Sequence, residues 1–121
     1  MPSVLVVDDD RMMRILVTRT LAAEDFEVRG AANAAEARLE LGKPGRPVDL
    51  VLTDIVMAGG MGHDLVTEIR AAYPALQVLC MTSYSPQDLI THGIDPKGSR
   101  VLRKPFMPAE LVRVVREAVR S

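Results

Sequence analysis

The stretch Val51-Leu52-Thr53-Asp54-Ile55-Val56-Met57 is a short apolar run that contains a single carboxylate. Aliphatic and β-branched runs of this length are typical of strands buried on both faces, so Asp54 falls where a strand leaves its sheet. In open α/β sheets, ligands bind at the carboxyl ends of the strands. The sequence therefore predicts that Asp54 faces a binding site.

Three other strand patterns also end in polar side chains. They are Val4–Val7 before Asp8-Asp9-Asp10, Val78–Met81 before Thr82, and Val101-Leu102 shortly before Lys104. If these strands are parallel neighbours, several carboxylates, a hydroxyl and an ammonium meet at one edge of the sheet. Asp9 or Asp10 could instead cap the helix that follows, but a cap needs one carboxylate and three are present.

Helical patterns lie between the strands. The predicted inner faces are Met13, Leu16, Val17, Thr20 and Leu21 in the first helix, Leu65, Val66, Ile69 and Tyr73 in the third, and Leu111, Val114, Val115, Ala118 and Val119 in the last. Asn33 is a good N-cap for a second helix over Ala34–Leu41. Between Ser83 and Ser99, prolines and glycines limit the fourth helix to about Gln87–Thr91, so it should be short or irregular.

Strand and helix alternate about five times, which predicts an α/β fold with a doubly wound parallel sheet and helices on both faces. The 121 residues, 48% of them apolar, suit one domain over positions 1–121. A weak strand is expected at Glu27–Ala31 and a strand at Leu76–Met81. Cys80, the single cysteine, falls inside a strand pattern and is predicted to be a buried structural thiol.

The charge balance narrows the possible partners. Fifteen basic and 16 acidic side chains give a formal net charge of -1, without the basic field that binds a phosphate backbone, so no direct contact with nucleic acid is expected. The longest apolar runs are far shorter than the ~20 residues that span a bilayer. With no basic leader after Met1, a cytoplasmic protein without membrane contact is expected.

Carboxylates crowded at one edge repel each other and stay ionised at neutral pH when a cation shares their site. Asp9 and Asp54, with Asp8 through water, suit a magnesium ion that takes ~6 oxygens at ~2.1 Å. Lys104 and Thr82 could then bind two oxygens of a phosphoryl group. Asp54, isolated at its strand end, is the predicted carboxylate nucleophile that accepts this group.

In order and spacing, four pieces of the chain resemble the receiver domains of two-component response regulators: Val6-Val7-Asp8-Asp9-Asp10, Leu52-Thr53-Asp54-Ile55-Val56-Met57, Met81-Thr82-Ser83 and Lys104-Pro105-Phe106. The similarity covers essentially the whole chain. It implies a flavodoxin-like strand order 2-1-3-4-5.

The same resemblance implies a role for each matching residue. Asp54 would be the phosphoacceptor, and Asp8, Asp9, Asp54 and the backbone carbonyl of Val56 would bind Mg²⁺ or Mn²⁺. Thr82 and Lys104 would sense the phosphoryl group. The donor would be a histidine kinase or a histidine phosphotransfer protein, and an unknown downstream protein would read the result. The chain would be no enzyme beyond its own magnesium-dependent phosphorylation and dephosphorylation.

Two positions depart from the family pattern. Ala58 stands where proline is common, and Val101 stands where a switch tyrosine or phenylalanine is usual. Without a large side chain at Val101, we expect phosphorylation to act mainly by reordering the backbone of Ser83–Ser99. The ending Val101-Leu102-Arg103-Lys104-Pro105-Phe106 resembles receivers attached to hybrid histidine kinases.

Two other functions compete with this one. Asp8-Asp9-Asp10 contains the D-x-D spacing of haloacid-dehalogenase-type phosphatases, with Asp8 as nucleophile, but Met12 and the absence of a distal acidic pair argue against it. A receiver-like binding module that is never phosphorylated is the second, and the intact set of acidic, hydroxyl and ammonium residues argues against it. Arg113, Arg116 and Arg120 form either a solvated face of the last helix or a docking surface.

Overall fold

A computed structural model of the protein describes residues 1–57, 60–91 and 100–120. The strands of the main sheet are β1 (Ser3–Val7), β2 (Glu27–Ala31), β3 (Leu50–Asp54), β4 (Gln77–Thr82) and β5 (Arg100–Arg103). The helices are α1 (Arg11–Ala22), α2 (Ala34–Leu41), α3 (Gly62–Ala72), α4 (Pro86–Thr91) and α5 (Pro108–Arg120). A short antiparallel hairpin of Val56–Met57 and Gly60–Met61 precedes α3.

The five main strands form a parallel sheet in the order β2-β1-β3-β4-β5. This confirms the predicted α/β fold and its strand order. Burial follows from the sequence, because a parallel sheet covered on both faces needs strands that are apolar throughout. All residues of β1 and β3 are buried, whereas β2 at the edge has a mixed pattern with one buried residue, Ala31.

The pleat of each strand sends alternate side chains to two separate cores. Val4 and Val6 of β1 join a core covered by α1 and α5, and Leu5 and Val7 join a core covered by α2, α3 and α4. The sheet is therefore doubly wound, as predicted. Cys80 lies in the second core and is 3% exposed. Burial raises the pKa of its thiol to about 11, which agrees with a structural role.

Two residues of the predicted inner helix faces are exposed instead. In α1, Val17 and Leu21 are fully buried, but Leu16 is 51% exposed, because it lies about 100° around the helix from Val17. Tyr73 is 42% exposed, because it follows the last residue of α3 and a phenol can keep its hydroxyl in water. The predictions for these two residues were wrong.

The predicted N-cap of the second helix is confirmed. Asn33 caps α2 by accepting a hydrogen bond from the amide of Glu36, and Pro108 begins α5. The short α4 has six residues. Of Ser83–Ser99, the segment expected to be reordered by phosphorylation, residues 92–99 lie outside the described part of the chain, as does Ala58. Among the described residues, no helix has the length and apolar character needed to cross a membrane.

Candidate functional site

Three carboxylates meet at the carboxyl edge of the sheet. Asp54 is the last residue of β3, and Asp8 directly follows β1, its parallel neighbour. Oxygen atoms of Asp8, Asp9 and Asp54 lie within 4.8 Å of one another. Asp8 is fully buried, Asp54 is 9% exposed and Asp9 is exposed. The sequence prediction that these side chains converge is confirmed.

The third aspartate of the triplet has another role. Asp10 is the N-cap of α1, and its Oδ1 accepts hydrogen bonds from the amides of Met12 at 3.0 Å and Met13 at 3.3 Å. A carboxylate at this position satisfies helix amides that would otherwise lack partners. The triplet is thus divided between helix capping by Asp10 and the acidic cluster, which we define as Asp8, Asp9 and Asp54.

Lys104 brings a positive charge to the acidic cluster. Its Nζ lies 2.7 Å from Oδ2 of Asp54 and 3.2 Å from Oδ2 of Asp8. The backbone of Lys104 is positioned by a 2.7 Å hydrogen bond from its amide to the carbonyl of Thr82, at the end of the neighbouring strand. The peptide between Lys104 and Pro105 is cis.

The ion pairs of Lys104 outweigh the effect of burial on the pKa of its ammonium group. Burial lowers the pKa of this ammonium, but its hydrogen bonds to Asp54 and Asp8 and their charges outweigh that effect, so its pKa is raised. Lys104 is therefore charged at neutral pH. Asp8 behaves differently: burial raises its pKa, although the amide of Asp10 and the charge of Lys104 act in the opposite direction.

The charge count suits a divalent cation. Three carboxylates and one ammonium leave two negative charges among these four side chains. All the ligand atoms that the acidic cluster offers are carboxylate oxygens, and these are the hard ligands that magnesium and manganese accept. The residues present therefore fit such an ion. Val56 begins the hairpin two residues after Asp54, and its role as a carbonyl ligand stays a prediction.

Thr82 lies at the same sheet edge but is bonded within its own turn. It follows Met81, which pairs with Asp54 across the sheet, and it is 1% exposed. Its Oγ1 accepts a hydrogen bond from the amide of Tyr84 at 2.9 Å. The predicted hydroxyl is thus near the site, with its oxygen directed to Tyr84.

Sequence reasoning missed two residues around this site. Tyr84 packs partly buried against the same core as Val101, which pairs with Cys80. Arg14 of α1 donates a hydrogen bond from Nη1 to the carbonyl of Asp8 at 2.7 Å. Arg14 is the fourth residue of α1, and a side chain at that position of the helix points back toward the end of β1. This position in the helix is the one signal in the sequence that could have indicated Arg14.

The arginine row of α5 is exposed and partly paired. Arg113 contacts Glu117 at 3.2 Å, and Arg116 contacts Glu24, two residues after the end of α1, at 3.0 Å. Both pairs are about half exposed, so they contribute little to stability. This agrees with the predicted solvated face, and docking at this surface stays a prediction.

Comparison with known proteins gives one consistent result. The family model of the response regulator receiver domain matches residues 4–116. NtrC of Azospirillum brasilense, a DNA-binding transcriptional regulator, is 34% identical over 120 residues, which are 98% of this chain and 24% of that protein. The response regulator protein PilR of Pseudomonas aeruginosa is 34% identical over 116 residues, which are 96% of this chain and 26% of that protein. The chain thus spans about a quarter of the length of these relatives.

Solved structures of other proteins superimpose closely on this chain. Chemotaxis response regulator CheY4 of Vibrio cholerae superimposes with a TM-score of 0.83 at 29% identity, covering 98% of both chains. NtrX of Brucella abortus gives a TM-score of 0.85 at 30% identity, covering 98% of this chain and 27% of that one.

Proposed function

Because this chain belongs to the response regulator receiver domain family, we propose that its phosphoacceptor is Asp54 and that a magnesium or manganese ion binds the acidic cluster. The observation that carries the proposal is the contact of Lys104 with Asp54 and Asp8 at 2.7 and 3.2 Å. It places a cation against the carboxylate that would react, at the edge of the sheet where ligands bind.

The proposed reaction is a direct transfer. A carboxylate oxygen of Asp54 attacks the phosphorus of a phosphohistidine on a histidine kinase or phosphotransfer protein, and an acyl phosphate forms as the bond from phosphorus to nitrogen breaks. The ion would supply positive charge to the phosphoryl oxygens. Lys104 would move from the carboxylate to one phosphoryl oxygen, and Thr82 would donate its hydroxyl proton to another.

Solvent exposure distinguishes Asp54 from Asp8, the nucleophile of the alternative phosphatase hypothesis. Asp8, required by the phosphatase alternative, is fully buried, and its two oxygens accept hydrogen bonds from the amide of Asp10 and from Lys104. The side chain of Asp54 is 12% exposed, whereas that of Asp8 is 0% exposed. We therefore propose no turnover of small phosphomonoesters and no enzymatic activity beyond the chain's own phosphorylation and dephosphorylation.

The same proposal also concerns the binding partners of this chain. Phosphorylation would change the binding of a downstream protein, and this chain itself would not bind nucleic acid. The net charge of -1 supports the proposal that this chain does not bind nucleic acid. The DNA-binding relative, NtrC, is matched over 24% of its length, so we do not extend its DNA binding to this chain.

The test is incubation with acetyl phosphate and magnesium, followed by intact mass and peptide mapping. Wild type should gain the mass of one phosphoryl group, and Asp54→Asn should gain none. A matched control is Asp25→Asn, an exposed residue with a φ of 67°, a conformation that asparagine also tolerates. Labelling that persists in Asp54→Asn would refute the assignment, and an unlabelled but folded wild type would favour the binding module.

A further inference from the structure

Arg14 reaches from α1 back to the end of β1. Its Nη1 lies 2.7 Å from the carbonyl oxygen of Asp8, and the side chain is half-buried. The stem of the arginine runs over Gly30 of β2, where an added Cβ would lie 3.3 Å from Cδ and 3.5 Å from Cγ of Arg14. The absence of a side chain at Gly30 thus provides the space through which Arg14 reaches Asp8.

Asp8 is held by its backbone as well as by its carboxylate. Its amide donates to the carbonyl of Ala31 at 3.1 Å, and its carbonyl accepts from Arg14. Its Oδ1 accepts from the amide of Asp10 at 2.9 Å, and its Oδ2 contacts Lys104. Because Asp8 is fully buried, these partners and not water satisfy its polar groups.

We propose that Arg14 is a positioning residue for the cation site, an inference that rests on the proposed function. By holding the carbonyl of Asp8, the guanidinium fixes the turn from β1 into α1 and with it the direction of the Asp8 carboxylate. Groups that orient metal ligands in this way determine metal affinity without touching the metal. Arg14 bonds a neutral carbonyl, so its positive charge stays beside the acidic cluster and leaves the Asp8 carboxylate to other partners.

Gly30 provides a second, independent way to disturb the same contact. A methyl group there would press on Cδ of Arg14 at 3.3 Å without removing the guanidinium or altering any residue of the acidic cluster. If Arg14 positions Asp8, then Gly30→Ala should weaken ion binding in the same direction as loss of Arg14, and by less.

The experiment measures ion affinity rather than phosphorylation. Mg²⁺ is titrated by calorimetry, and Mn²⁺ by electron paramagnetic resonance, into wild type, Arg14→Met, Arg14→Lys and Gly30→Ala. Urea unfolding of each variant establishes that it is folded under the titration conditions. The matched control is Arg19→Met, which removes an exposed arginine from the last turn of the same helix.

Arg14→Met should raise the dissociation constant of the ion about tenfold, the lower end of the losses seen when groups behind metal ligands are removed. Arg14→Lys keeps a donor and a charge and should recover part of that loss. Arg19→Met should bind as wild type does. If Arg14→Met does not fold, the comparison of Arg14→Lys and Gly30→Ala with wild type decides the question.

Three results would overturn the inference while leaving the proposed function intact. They are wild-type affinity in folded Arg14→Met, wild-type affinity in both Gly30→Ala and Arg14→Lys, and an equal loss in Arg19→Met, which would indicate a general charge effect. Failure of wild type to bind either ion would instead contradict the proposed function itself.

Discussion

Replacing Lys104 by methionine should make magnesium bind more tightly, although it removes a residue of the site. The ammonium lies 2.7 Å from Asp54 and 3.2 Å from Asp8, where an incoming cation must compete with it for the same carboxylates. Methionine has a similar length and no charge. The substitution therefore removes the competitor and leaves the acidic cluster in place.

The size of this change in magnesium affinity follows from the distance between Lys104 and Asp54 and from the dielectric around them. Unit charges 2.7 Å apart attract by about 1.5 kcal/mol in a medium like bulk water and by about 6 kcal/mol at the effective dielectric of a protein surface. The Lys104 side chain is 17% exposed, so the bulk-water value is a lower bound on the attraction that the ion must overcome. About 1.5 kcal/mol corresponds to roughly a tenfold lower dissociation constant for Mg²⁺.

Calorimetric titration at pH 7 measures this change directly. Lys43→Met is the matched control, because Lys43 makes an ion pair of the same 2.7 Å length with Glu40 at the surface. That control should bind Mg²⁺ as wild type does. Unchanged or weaker binding in Lys104→Met, with the protein folded, would refute the idea that Lys104 competes with the ion. Loss of folding in Lys104→Met would make the residue structural.

Two further predictions concern Asp8 and the turn after β4. Because burial raises the pKa of Asp8 above 3.8, the folded state holds its proton more tightly than the unfolded state, and stability falls as pH rises through the raised pKa. Without metal, Asp8→Asn should therefore be more stable than wild type in urea at pH 7, and the difference should shrink as pH falls toward 3.8; equal midpoints at pH 7 would contradict this. With a beryllofluoride mimic, Thr82 should turn to the phosphoryl site and release the amide of Tyr84, so that amide should exchange faster with solvent; unchanged protection at Tyr84, with changes confined to Val101, would rule this out.

The site could be predicted in outline because its groups lie at strand ends. Asp54, Asp8, Thr82 and Lys104 each follow an apolar run, and parallel strands bring such positions to one edge. The contacts among them could not be predicted, since they depend on side-chain direction. Lys104 was predicted at the carboxylate edge of the sheet, and the structure adds which two carboxylates it contacts, Asp54 and Asp8.

The two wrong helix-face predictions and the two missed residues each have a physical reason. Leu16 and Tyr73 fit a helical pattern, but periodicity gives the direction of a face only to within about one residue, and the width of the buried stripe depends on how closely the helix meets the sheet. Arg14 and Tyr84 were missed because each makes its bond to the site through a backbone group, the carbonyl of Asp8 for Arg14 and the amide of Tyr84 itself for Thr82. Residue type does not specify such a bond, and for Arg14 its position in α1 is the one indication.

The sequence by itself determined the order of strands and helices, the burial of β1 and β3, and the four polar strand ends, because hydrophobic period and chain connectivity are local properties. The tertiary structure alone decided which aspartate caps α1, that Asp8 is the fully buried member of the acidic cluster, and that Gly30 leaves space for Arg14. These outcomes depend on the distances between elements that are far apart along the chain. Such distances are set when the helices pack on the sheet, so no single stretch of sequence contains them.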